Sequence, residues 1–132
     1  MNKVWIDNEM WYGDTEQILH LEIGENGDKI LVLNLGTHPT AYVQFDGIAD
    51  VSGYDDDKLD DIIVHGGFTF FGTNERCGMD GTWLGWDYAH YMDYLCVRGR
   101  SAYEGEHKYT TAEIVREAQY VLKQLHEQGV AK

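Results

Sequence analysis

Apolar and polar positions alternate with a period of two along several stretches of this chain, and with a period near 3.6 along one. From Ile18 to Ile23 the run I-L-H-L-E-I sets Leu19, Leu21 and Ile23 on one side and His20 and Glu22 on the other, as a half-buried strand does. Gly24-Glu25-Asn26-Gly27-Asp28 supplies turn residues that accept positive φ, and Lys29 to Leu35 reads as the second strand of a hairpin. Gly36-Thr37-His38-Pro39 breaks the pattern, since proline has no amide to give a ladder, and Thr40 to Phe45 then reads as a third strand. Ile62 to Phe71 is expected to be a strand buried on both faces, with Gly66-Gly67 marking a bulge or a close backbone approach. Thr82 to Tyr88 completes the set, with Trp83 and Trp86 on opposite sides under strict alternation. Val4 to Ile6 reads equally as a short strand or an arm, and Asp87 to Leu95 as a short helix or a loop.

The last element is the clearest. Thr110-Thr111-Ala112-Glu113 has the spacing of a capping box, Ile114, Ala118, Val121, Leu122 and Leu125 recur at three and four residues, and Gly129 can close the helix. The expectation is an α+β fold over residues 1–132 as a single domain: an antiparallel sheet of about five strands, with a C-terminal amphipathic helix from about Thr111 to Gln128 packed on one face.

Composition narrows the functions. With 132 residues, 43% of them hydrophobic, the chain is long enough to bury a core without staples. A formal charge of -13, from 23 acidic and 10 basic side chains, argues against direct nucleic-acid binding by counterion release. Cys77 and Cys96 are too few for a disulfide framework and lack C-x-x-C spacing, no window has the length of a membrane span, and the N-terminus lacks a signal-peptide core. A reduced, cytoplasmic protein with no membrane partner is expected. Asp46, Asp50, Asp55, Asp56, Asp57, Asp60 and Asp61 against a single Lys58 read as an exposed connection, and D-D-D-K-L-D-D lacks the ligand alternation of a calcium loop.

Candidate chemistry gathers between Asp61 and Asp93, which hold two of the six histidines and two of the four tryptophans. His38, His65 and His90 with Asp87 and Asp93 form a donor set of the kind a metal site needs, and the same carboxylates can orient an imidazole for acid–base work. Whether these side chains meet is open, and hydrogen bonding among themselves is the plainer reading. No G-x-S-x-G or Walker pattern supplies a nucleophile or phosphate loop, and no cofactor is expected. Trp83, Trp86, Tyr88 and Phe70 offer stacking planes, glycines let a ligand reach the backbone, and Arg76, Arg98 and Arg100 can hold an anion. The plainer reading there is an aromatic core.

The motifs G-T-H-P-T-A-Y-V, V-H-G-G-F-T-F and W-L-G-W-D-Y-A-H-Y-M-D, followed by the closing helix, resemble in order those of a family of small proteins encoded mainly by phages and prophages. That family's pattern runs G-H-x-x-G-Y-V, H-G-G-[LI]-T-[YF] and W-x-G-F-D-C-A-H-x-x-D, so the resemblance spans residues 36 to 128. It carries over His65, Gly66, Gly67, Thr69, Gly85, Asp87, Ala89, His90 and Asp93. Trp86 stands where the pattern has Phe, and Tyr88 where it has Cys, which removes a cysteine-based activity at that position. The resemblance implies a phage setting and no particular reaction.

Three functions are expected, in this order. The first is an anti-defence binding module that captures a small nucleotide-like molecule through His65, Gly66, Gly67, Thr69, Trp86, Asp87, His90, Asp93, Arg98 and Arg100. In the second, the acidic surface blocks a basic, nucleic-acid-binding surface of a host defence protein. The third is a hydrolase in which His65, His90, Asp87 and Asp93 bind a divalent metal. Self-association is open in all three.

Overall fold

A computed structural model describes residues 2–10, 16–74, 79–97 and 104–132. Six strands, β1 (Lys3–Asp7), β2 (Gln17–Ile23), β3 (Lys29–Asn34), β4 (Pro39–Gln44), β5 (Phe70–Asn74) and β6 (Met79–Asp87), form one antiparallel sheet in the order β1-β2-β3-β4-β6-β5. Helix α1 (Thr111–Glu127) lies across one face. The fold is α+β as expected, with one strand more because Val4 to Ile6 pairs with β2.

Strand alternation builds two apolar clusters. Ile30, Val32, Ala41, Val43, Leu84 and Trp86 point toward the helix and pack with Ile114, Ala118, Val121 and Leu125, all buried. The residues between them, Leu31, Leu33, Tyr42 and Trp83, form the core of the opposite face. Trp83 and Trp86 therefore do face opposite sides. The helix begins where its sequence asks: Thr110 Oγ1 accepts from the Glu113 amide at 3.2 Å while Glu113 Oε1 accepts from the Thr110 amide at 3.0 Å.

Several expectations are corrected. In β2 the register shifts between Ile18 and His20, and this bulge puts Leu19 in the helix-side core with His20 and Glu22 buried nearby, while Leu21 packs on the opposite cluster. Strict alternation over Leu19, Leu21 and Ile23 misses that extra residue. Ile62 to Thr69 is not strand; pairing starts only at Phe70, and Ile63 is 69% exposed. Helix side chains take the place of a neighbouring strand: Gln124 accepts from the Ile63 amide at 2.7 Å and donates to its carbonyl at 2.8 Å, and Glu117 accepts from the His65 amide at 3.1 Å. The stretch read as a loop from Gly72 to Gly81 instead contributes both strands of a hairpin, β5 and β6, although Arg76 and Cys77 lie outside the described residues. Asp87 ends β6 and the residues from there to Leu95 form a loop and not a helix, with the Asp93 amide donating to the His90 carbonyl at 2.9 Å and Asp93 bridging to His107.

The acidic run is an exposed connection, as expected, but an organised one. Asp56 caps a short 3-10 turn (Asp57–Leu59) by accepting from the Lys58 amide at 2.9 Å, and it also accepts from the Ser52 amide at 2.8 Å. Among the described residues no helix is long and apolar enough to cross a membrane.

A candidate metal centre at the end of the sheet

The site forms where β6 ends and β4 begins, beneath the N-terminal half of α1. Thr40 pairs with Asp87, and the Tyr88 amide donates to the Pro39 carbonyl at 3.1 Å, so the residues after Asp87 leave the sheet beside the turn that carries His38.

His65 reaches the site from a tight turn closed by the Gly67 amide on the Val64 carbonyl at 3.1 Å, with Gly66 at φ 67°. Glycine is needed at position 66 twice over, for that backbone angle and because a Cβ there would overlap the His90 ring. The His65 ring stacks on Tyr88 at 4.6 Å and 12°, and the Tyr88 hydroxyl donates to Glu117 Oε1 at 3.1 Å, the same oxygen that takes the His65 amide. Trp86 Nε1 donates to the Tyr88 hydroxyl at 3.1 Å. Burial, above all, raises the Tyr88 hydroxyl's pKa far above the usual phenol range, so it stays a donor. Burial and then the carboxylates of Asp93, Glu117 and Glu113 act the same way on Tyr109, whose ring lies 5.2 Å from that of His65.

Asp93 is buried at 4% exposure and is the hub. Its Oδ2 accepts from His65 Nε2 at 2.7 Å and from the His90 amide at 3.0 Å, and stands 3.4 Å from His90 Nδ1. His90 Nε2 faces Asp87 Oδ1 at 3.6 Å, while Asp87 is itself held by the Ala89 amide at 3.1 Å and the Thr69 hydroxyl at 3.3 Å. With its proton on Nε2 toward Asp87, His90 presents a lone pair at Nδ1, a buried nitrogen with no hydrogen-bond partner. Neither ring contact is a hydrogen bond, and Nε2 facing Asp87 with Nδ1 facing Asp93 is compatible with an imidazole that turns one nitrogen to a carboxylate and offers the other to a metal.

The three donors of His65, His90 and Asp93 all lie within 4.8 Å of one another. Donors on a tetrahedral ion at bonds of about 2.1 Å stand about 3.4 Å apart. The spacing of His90 Nδ1 from Asp93 Oδ2, 3.4 Å, already fits. The 2.7 Å separation of His65 from Asp93 is a hydrogen bond that a cation would replace. His38 is close enough to feel the charges of Asp87, His90 and Asp93; burial, the largest influence, lowers its pKa and keeps it neutral, and its Nδ1 pairs with Thr37 Oγ1 at 2.8 Å.

Of the ten residues proposed from sequence, His65, Gly66, Asp87, His90 and Asp93 come together directly, and Thr69 joins through Asp87. Gly67 belongs to the turn, but a Cβ there would meet nothing within 4 Å. Trp86, 1% exposed, is core and offers no face to a ligand; the same holds for Trp83 and for Tyr88, whose ring stacks on His65 instead. Arg98 and Arg100 lie outside the described residues. Sequence reasoning missed Glu117 and Gln124, although polar residues seven apart beside an apolar helix stripe signal side chains that serve a neighbouring segment. Comparisons with protein families, with curated proteins and with solved structures give no match.

Proposed function

We propose that the protein is a metal-dependent hydrolase of esters or phosphodiesters, with a divalent cation held by His65, His90 and Asp93. The observation that carries this reading is the buried, unpartnered Nδ1 of His90, facing a carboxylate at donor spacing within a two-histidine, one-carboxylate set. Three protein ligands leave coordination positions open for water and substrate, the arrangement of catalytic rather than structural sites. A bound cation lowers the pKa of water and polarises the scissile group. His38 would accept the proton of the attacking water and return it to the leaving oxygen as the scissile bond breaks. Asp87 orients His90.

Capture of a nucleotide-like ligand, the first expectation, has less support because three of the four rings offered for stacking, Trp83, Trp86 and Tyr88, are buried, and only Phe70 is partly exposed. The phage setting implied by the motif resemblance is compatible with either activity. The test is hydrolysis of p-nitrophenyl phosphodiesters and esters by protein loaded in turn with zinc, manganese and ferrous iron. Turnover that requires metal and disappears in His90→Ala supports the proposal; no metal-dependent turnover of any of these substrates counts against hydrolysis.

A further inference from the structure

On the other flank of α1, toward the β1–β2 edge, a cavity of about 390 Å³ opens between strand and helix. That volume is within the range of small-molecule sites. One wall carries Asp7 at the end of β1, Glu9 just beyond it and His20 of β2; the helix wall carries Ala112, Val115 and Arg116. His20, 4% exposed, is already satisfied, with Nδ1 3.1 Å from Asp7 Oδ1 and Nε2 3.0 Å from Glu22 Oε1, so it forms a fixed floor. Arg116 differs. Among the described residues no carboxylate forms an ion pair with it, in a chain with 23 acidic and 10 basic side chains, although two carboxylates line the same cavity. Both signs of charge thus line one space of small-molecule size, with Arg116 in no ion pair among the described residues. The amides of the first helical turn, at Thr111 and Ala112, have no carbonyl within the helix to pair with, and add positive potential to the Arg116 side.

We propose that this cavity binds a small zwitterion, a free amino acid or dipeptide, with its carboxylate on Arg116 and the first-turn amides and its ammonium on Asp7 and Glu9. The carboxylate and guanidinium match in planar, two-pronged geometry. A ligand with only one of the two charges leaves one wall unmatched, so charge selects for the zwitterion over simple cations, which the acidic surface attracts everywhere.

The experiment is calorimetric titration of the intact protein, with metal chelated so that the other flank plays no part. The probes are the standard free amino acids and glycylglycine, each alone. The expected result is saturable binding of at least one probe, weakened roughly tenfold or more by Arg116→Ala and by Glu9→Gln. N-acetylation and carboxyl amidation of the same probe, each removing one charge, should weaken it comparably. Both substituted positions are exposed, and an unchanged melting temperature verifies that the variants fold. Failure of every probe to bind overturns the proposal, as does binding indifferent to Arg116→Ala or to loss of either ligand charge.

Discussion

The α-carbon of Gly66 packs against the imidazole of His90 so closely that a side-chain methyl at position 66 would overlap the ring. Gly67, its neighbour, shares the positive φ, 81° against 67°, but faces open space. Alanine at either position pays backbone strain of about 1–2 kcal/mol, but only Gly66→Ala also displaces a proposed metal ligand. Gly67→Ala should therefore lower the melting temperature and keep bound metal, whereas Gly66→Ala should lose both. Equal metal content in the two variants would show that the contact with His90 does not matter to the site.

Gln124 holds the His65-bearing segment by two hydrogen bonds to Ile63, at 2.7 and 2.8 Å. Gln124→Ala leaves that backbone short of partners and should cost about 1–3 kcal/mol, read as a lower urea midpoint. Gln124→Glu keeps an acceptor for the Ile63 amide but sets a carboxylate against its carbonyl, so it should be destabilised as well. Wild-type midpoints in both would mean that water serves the segment equally well.

His38 is proposed as a base, not a ligand. His38→Gln should keep stoichiometric metal and lower turnover by roughly a hundredfold, the scale of general-base contributions. Metal content that falls in step with activity would make His38 a ligand instead.

Two capping carboxylates give an acid-side prediction. Amide donation from Ser52 and Lys58 lowers the Asp56 pKa below its ordinary 3.8. For Glu113 burial acts upward, but the Thr110 amide and His107 outweigh it and the net shift is downward from 4.5. A group whose folded pKa is depressed contributes stability that is complete above its unfolded value and lost as pH falls through the folded value. Stability should therefore drop below about pH 4, and the drop should be shallower in Asp56→Asn and Glu113→Gln. Denaturation midpoints across pH 2 to 6 check this; identical slopes in wild type and variants would contradict it.

The sheet and helix were legible in the sequence because β3, β4 and α1 satisfy their own local rules. Ile30 to Leu33 is apolar throughout and buried on both faces, and Thr110 with Glu113 announces the helix start. The Ile62–Ile63–Val64 run misled, since β-branched residues look like a strand whether a strand or, as at Ile63, the side chain of Gln124 pairs with their backbone. Local pattern cannot distinguish these. The motif residues His65, Gly66, Asp87, His90 and Asp93 were legible as a set, but the role of Trp86 was not: a ring at a motif position reads the same whether it stacks on a ligand or, as here, fills the core.

The most direct measurement is elemental analysis of protein purified without a histidine tag, paired with melting in the presence of a chelator. One divalent ion per chain is predicted, with a melting temperature that falls on chelation, recovers on adding metal back and does not respond to either in His90→Ala. Protein free of stoichiometric metal, with melting unchanged by chelator and by added zinc, manganese or ferrous iron, would contradict the account.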